Sequence, residues 1–280
     1  MKRFKKILVP IDFSSDAEHA LQFALELSKK LKSEISLFHS YAIPVYATDI
    51  PLAMPDISEL EKVAMDGLTM LKNKYQSLYP DSKIGMYITE GFAEDAISGA
   101  VEKIQADLIV MGTKGASGLR EALIGTVTAA VIEQANCPVL AVPPLVKWTD
   151  IKKIVYATSY EESDFGHVET VIHFARALNA SLTLLHISTG KYDRIFEFDA
   201  IQRYKERLEE ETDFHNISIK LLVEEDVFHA ISNYTDEVKA DMIAMNLRSR
   251  SFMQKLFERS LTKRMVYHTH IPLFAFRSEK

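Results

Sequence analysis

The feature that most constrains this chain is an internal repeat. Lys6-Ile7-Leu8-Val9 opens one block of the 280-residue sequence and Lys153-Ile154-Val155-Tyr156 opens another. In that register Leu31 falls on Leu178, Leu37 on Leu184 and His39 on His186 without a gap. Further along, Ala96-Ile97-Ser98 matches Ala230-Ile231-Ser232, Ala106-Asp107-Leu108-Ile109-Val110-Met111 matches Ala240-Asp241-Met242-Ile243-Ala244-Met245, and Pro138 matches Pro272. The register shifts between these blocks, so the second copy is shorter in its middle. A unit of roughly 140 residues is long enough to bury its own core. Two similar domains are therefore expected, 1–146 and 147–280, divided where Pro143-Pro144 interrupts the pattern before Asp150.

Each copy alternates short apolar runs with amphipathic stretches. In the first, Ile7 to Ile11 is a strand, and Ser15-Asp16-Ala17-Glu18 has the form of a capping box. Ala17, Ala20, Leu21, Ala24, Leu25, Ser28 and Leu31 then follow at helical spacing. Strands are expected at Glu34 to His39, Ile84 to Thr89, Leu108 to Met111 and Pro138 to Val142, with helices at Ser58 to Leu78, Ala93 to Ile104 and Gly125 towards Asn136. The second copy repeats the order, with strands near Lys153, Leu182, Ile219, Met242 and Leu273. Continuous apolar strands alternating with helices specify an α/β fold, a doubly wound parallel sheet covered on both faces. The last strands, Val139-Leu140-Ala141-Val142 and Leu273-Phe274-Ala275-Phe276, would leave apolar edges that need a cover. Pairing of the two copies through those edges, as a pseudo-dimer, supplies one.

Composition narrows the class. An apolar fraction of 47% and a charged fraction of 26% describe a globular chain. A net charge of -6 without a basic stripe argues against nucleic acid as a partner. The basic start Lys2-Arg3-Phe4-Lys5-Lys6 is followed by an apolar run too short for a secretory or membrane segment, so no membrane association and a cytoplasmic location are expected. The single cysteine, Cys137, agrees with a reducing compartment and reads as a buried structural thiol.

Chemistry concentrates after the fourth strand of the first copy. Met111 is followed by Gly112-Thr113-Lys114-Gly115, nine residues intervene, and Gly125-Thr126 opens a helix. Glycines let a phosphate approach the backbone, and helix-start N–H groups point at it. Thr126 offers a hydroxyl to a phosphate or to its metal, and Asp12, on the same rim, offers an acceptor to a ribose or an adenine amine.

This pattern of glycine, two residues, glycine, nine residues, glycine and Ser/Thr resembles the ATP-binding signature of universal stress proteins. Val9-Pro10-Ile11-Asp12-Phe13-Ser14 is similar to the opening segment of that family, and Asn136-Cys137-Pro138-Val139-Leu140-Ala141-Val142 to its closing one. The resemblance covers both halves. It implies a five-stranded sheet of order 3-2-1-4-5 in each, dimerisation through the last strands, and ATP with Mg2+ as ligand. Pro10, Ile11, Asp12 and Ser40 would then border adenine and ribose. Met111, Gly112, Lys114 and Gly115 would follow the ribose and phosphates, and Gly125, Thr126 and Val127 would close over the phosphates. Lys114 and Arg120 are charge partners or solvated surface residues.

The second copy departs at each of these points. Asn246-Leu247-Arg248-Ser249 aligns with the glycine turn, Arg259-Ser260 with Gly125-Thr126, Ser159 with Asp12 and Ala157 with Pro10. It is expected not to bind ATP in the family manner and to serve as a built-in dimer partner, with Arg248, Arg250 and Arg259 on a charged surface. His39 and His186, at equivalent positions, read as packing residues. Glu161, Glu162 and Asp164 read as acids favouring a helix start. His268 and His270 lack the further ligands of a zinc site.

The leading functional expectation is a stress-response protein whose first domain binds an adenine nucleotide and acts as a regulatory module toward an unidentified protein partner, with a homodimer of tandem chains as a further expectation. The alternative is an adenine nucleotide hydrolase or adenylating enzyme of slow turnover. An adenylating enzyme would need a phosphate loop after the first strand, where Pro10-Ile11-Asp12-Phe13-Ser14-Ser15 has no glycine. A phosphorylated receiver domain would need an acidic cluster that Asp12 and Glu90 do not complete.

Overall fold

The computed structural model describes residues 4–42, 57–113, 125–188, 194–247 and 271–277. Lys114, Gly115 and Arg120 lie outside these residues, as do Arg248, Arg250, Arg259, Ser260, His268 and His270.

The N-terminal half runs β1 (Lys6–Pro10), α1 (Ser15–Leu31), β2 (Glu34–Tyr41), α2 (Ile57–Leu78), β3 (Ile84–Glu90), α3 (Ala93–Ile104), β4 (Leu108–Gly112), α4 (Thr126–Gln134) and β5 (Val139–Val142). The C-terminal half runs β6 (Lys153–Ala157), α5 (Phe165–Leu178), β7 (Ser181–Ser188), α6 (Arg194–Thr212), β8 (Ile217–Val223), α7 (Val227–Val238), β9 (Met242–Leu247) and β10 (Leu273–Arg277). The order across the sheet is β3-β2-β1-β4-β5-β10-β9-β6-β7-β8. Each half is therefore a five-stranded parallel sheet of order 3-2-1-4-5, as the family resemblance implies.

The halves meet at one antiparallel ladder, in which Leu273 pairs with Ala141, Phe274 with Leu140 and Ala275 with Val139. All other strand pairs are parallel. Each half covers the apolar edge of the other, and one continuous sheet results. Arg277 crosses the seam, its Nη1 donating to the Gln134 carbonyl at 2.9 Å and to Asn136 Oδ1 at 3.0 Å.

Period-2 alternation divides the core into two layers. Ile7 and Val9 join one layer with Leu21 and Leu25 of α1 and Leu68 of α2. Leu8 faces the other layer, with Ile97 of α3 and Val131 of α4. The first layer runs unbroken through the seam. The Phe4 ring meets Phe174 edge-on at 5.4 Å, and Phe174 stacks on Phe274 at 4.8 Å.

Helix α1 begins one residue earlier than a capping box at Ser15 would place it. Ser14 is the cap: its backbone is extended and its Oγ accepts from the Ala17 N–H at 3.2 Å. Asp16 and Glu18 sit in the first turn and Lys29 and Lys30 in the last, matching the helix dipole at both ends. Cys137 is partly exposed rather than buried, because it lies in the turn between α4 and β5.

Phe274 is fully buried and belongs to the strand that joins the halves. Phe274→Ala is expected to lower the unfolding free energy by about 3–5 kcal/mol, measured by urea denaturation with fluorescence detection.

Candidate functional site

The end of β1 and the start of α1 are built by local hydrogen bonding. Asp12 Oδ1 accepts from the Ser14 backbone N–H at 3.0 Å and from Ser14 Oγ at 2.5 Å, forming an Asx turn that leads into the helix. Between them Phe13 adopts a φ of 60°, a left-handed conformation that costs a bulky residue about 1–3 kcal/mol. Its ring rests on the His39 imidazole, with centroids 4.6 Å apart, and against α2, where a Cβ added at Gly67 would lie 2.8 Å from Phe13 Cζ. His39 is held from the other side: its Nδ1 lies 2.7 Å from the Ile11 carbonyl oxygen. A carbonyl only accepts, so Nδ1 is the donor in this bond.

The same device recurs in the second copy. Tyr160 has a φ of 47°, its ring lies 4.5 Å from His186, and His186 Nδ1 donates to the Thr158 carbonyl at 2.9 Å. The paired histidines are thus backbone ties that order the turn after the first strand of each half.

On the neighbouring strand, β4 ends at Gly112 and the chain returns at Gly125. The Gly125 N–H donates to the Thr113 carbonyl at 2.5 Å, and the Thr113 N–H to the Val142 carbonyl at 3.1 Å. Thr128, in the first turn of α4, donates its Oγ1 proton to the Gly112 carbonyl at 2.9 Å from a buried position. These bonds fix the start of α4 beside the end of β4. Gly125 has φ −68° and ψ 159°, an extended conformation open to any residue, and no side chain caps the helix. Its small size, rather than a special backbone angle, is what distinguishes it there.

Between these two structures lies a cavity of about 290 Å³. Of the residues singled out from the sequence, Pro10, Ile11, Asp12, Ser40, Met111, Gly112, Gly125, Thr126 and Val127 all line it. Further walls come from Phe38, His39, Ala17 and Thr128, and from Ala93 and Ile97 of α3. The α3 residues carry no sequence signal beyond helical apolar spacing. The cavity is apolar along its length, with Asp12, His39 and Ser40 as polar groups at one side and the start of α4 at the other. No group of three or more His, Cys, Asp or Glu residues suited to a metal occurs among the described residues.

An open parallel sheet with its crevice at the switch point between β1 and β4 defines the doubly wound α/β class. Within that class this chain belongs to the universal stress protein family, whose model matches residues 3–143 and again residues 150–277. It is similar to Universal stress protein MJ0531 of Methanocaldococcus jannaschii, 36% identical over 146 residues that make up 50% of this chain and 82% of the relative. Universal stress protein YxiE of Bacillus subtilis is 31% identical over 147 residues, 50% of this chain and 99% of the relative. A crystal structure of a universal stress protein from Archaeoglobus fulgidus superposes over 100% of this chain and 99% of its own, with a TM-score of 0.70 at 20% identity, a likeness of fold. The two matches in sequence each span about half of this chain, and the structural match spans its full length. Among the described residues no helix is long and apolar enough to cross a membrane.

Thr128→Val keeps the shape of the side chain and deletes its hydrogen bond to Gly112. It is expected to cost about 1–2 kcal/mol, read as a lower midpoint of chemical denaturation.

Proposed function

We propose that the N-terminal domain, residues 1–146, binds an adenine nucleotide, ATP in the first instance, and that binding alters the surface this chain shows to a protein partner. The observation that carries this reading is the cavity itself, an apolar slot with acceptors at one side and an uncapped helix start at the other. A purine base is flat and apolar with a polar edge, and fits the slot between Ile11, Phe38 and Ile97. Asp12 and Ser40 are acceptors for ribose hydroxyls. The first-turn N–H groups of α4 offer donors and the positive end of a helix dipole to phosphate oxygens. Gly125 leaves the phosphate room to approach, and the glycine spacing of the sequence adds Lys114 and Gly115 to the same reading.

Mg2+ in this reading arrives with the phosphates rather than at a preformed protein site, with the Thr126 hydroxyl as its one protein contact among the cavity residues. The second half lacks the glycines, so about one nucleotide per chain is expected.

Calorimetric titration of ATP with Mg2+ tests the proposal. The wild type is expected to bind about one equivalent. Gly125→Arg, which copies the second half and suits the extended backbone there, is expected to weaken binding by at least about a hundredfold by filling the phosphate path and cutting off the α4 N–H groups. Equal binding by both proteins, or none by the wild type at millimolar ATP, refutes the assignment.

A further inference from the structure

Phe92 breaks two local rules at once. It is the N-cap residue of α3, where no side-chain hydrogen bond is made, and it is 74% exposed. The equivalent residue of the second half is Asp226, whose Oδ1 caps α7 by accepting from the His229 N–H at 3.1 Å. Giving up such a cap destabilises a helix, and a phenylalanine left in water forgoes the stabilisation of burial. An exposed apolar side chain on its own is ordinary. One that also displaces a helix cap at the mouth of a cavity is the kind of local loss that a binding site tolerates.

The chain places Phe92 at that mouth. The β2–β3 ladder runs to Tyr41 opposite Glu90, one residue past Ser40, which lines the cavity. The Gly91 N–H donates to the Tyr41 carbonyl at 3.0 Å, and Gly91 turns the chain at a φ of 134°. Phe92 follows directly, and after it Ala93 and Ile97 line the cavity. Phe92 is not itself one of the walls; its side chain stands in solvent beside Ala93. The counterpart of Ala93 is the larger Val227, which lines the equivalent cavity of the second half. The first half thus pairs an exposed aromatic side chain with a small wall residue, where the second pairs a helix cap with a branched one.

Charge decides which end of a nucleotide meets this rim. Two helix starts border the cavity. Helix α3 follows Glu90 and carries Glu94 and Asp95 in its first turn, whereas α4 has no acidic residue in its first turn. In the sequence between Gly112 and Gly125, Lys114 and Arg120 outnumber Glu121, which adds to the contrast. Carboxylates at a helix start offset the dipole and repel phosphate, so the triphosphate goes to α4 and the uncharged base to α3. We propose that Phe92 is a base-contacting residue of this site, its side chain turning from solvent onto the outer face of the purine, with Ala93 leaving room for the two rings. The inference rests on the nucleotide reading and adds to it a source of affinity for the base beyond the preformed walls. Rotation of an exposed side chain is fast and needs no movement of the backbone.

Calorimetric titration of ATP with Mg2+ into the full-length chain and three variants tests this. Phe92→Ala is expected to weaken binding by about five- to a hundredfold, the loss of one base–aromatic stack, and Phe92→Trp to keep the wild-type affinity. Phe92→Asp copies the second half. It is expected to raise the midpoint of urea denaturation by capping α3 and yet to weaken ATP at least as much as Phe92→Ala does, a combination that a structural role for the side chain would not give. Because Phe92 is exposed, none of these changes removes core packing. ATP binding by the wild type with unchanged affinity in Phe92→Ala, or equal loss in Phe92→Ala and Phe92→Trp, overturns this inference and leaves the nucleotide site standing. Absence of ATP binding by the wild type overturns both.

Discussion

The antiparallel ladder between β5 and β10 is the contact on which the rest of this molecule depends. Each five-stranded sheet ends in a strand that is apolar on both faces, and such an edge in water is both unsatisfied in hydrogen bonding and prone to aggregate. Pairing Leu140 with Phe274 and Val139 with Ala275 removes both edges at once. It also commits the two halves to a fixed geometry. Phe4, near the N-terminus, packs on Phe174 and Phe274 from the other half, so one core layer belongs to both. A covalent tandem forms this pairing without an association cost that depends on concentration. The structural contribution of the second half is the seam.

Much of this was legible in the sequence, for physical reasons that differ by element. Buried parallel strands such as Leu108–Gly112 are continuous apolar runs, and helices such as Ala93–Ile104 show a clean 3.6 period, so their positions follow from solvation alone. The pseudo-dimer follows from asking what covers Val139–Val142. The cavity residues on β1, β4 and the start of α4 were legible because a parallel sheet places its crevice at strand ends. The reading failed at one local turn and at one long-range network. Ser14 caps α1 in place of Ser15 because Asp12 organises the turn before it. Asp164 looked like an ordinary acid at a helix start; only the folded chain brings Tyr156, Thr158 and Asn246 around it, across 82 residues in the last case.

The two halves show which parts of this fold are frame and which are site. The left-handed aromatic residue, the imidazole beneath it and the hydrogen bond from that imidazole to the strand end occur in both, at Phe13, His39 and Ile11 and at Tyr160, His186 and Thr158. A feature that keeps its geometry where the glycines are lost does not depend on those glycines. Its work is to turn the chain from strand to helix, and the backbone cost at Phe13 is offset by ring contact and by the order that the histidine imposes.

What varies is the side-chain volume and charge facing the crevice. At Ala17 and Gly112 the first half keeps two small residues, and the space between them is the path from the apolar slot to the start of α4. At Asp164 and Asn246 the second half spans the same path with a hydrogen-bonded pair. One bridge therefore fills that path and places a carboxylate in it. Asp164 lies at the start of α5 and Asn246 is next to last in β9, where it keeps its ladder position opposite Phe276. A repeat of this kind can change the lining of its crevices while its core and its seam stay fixed.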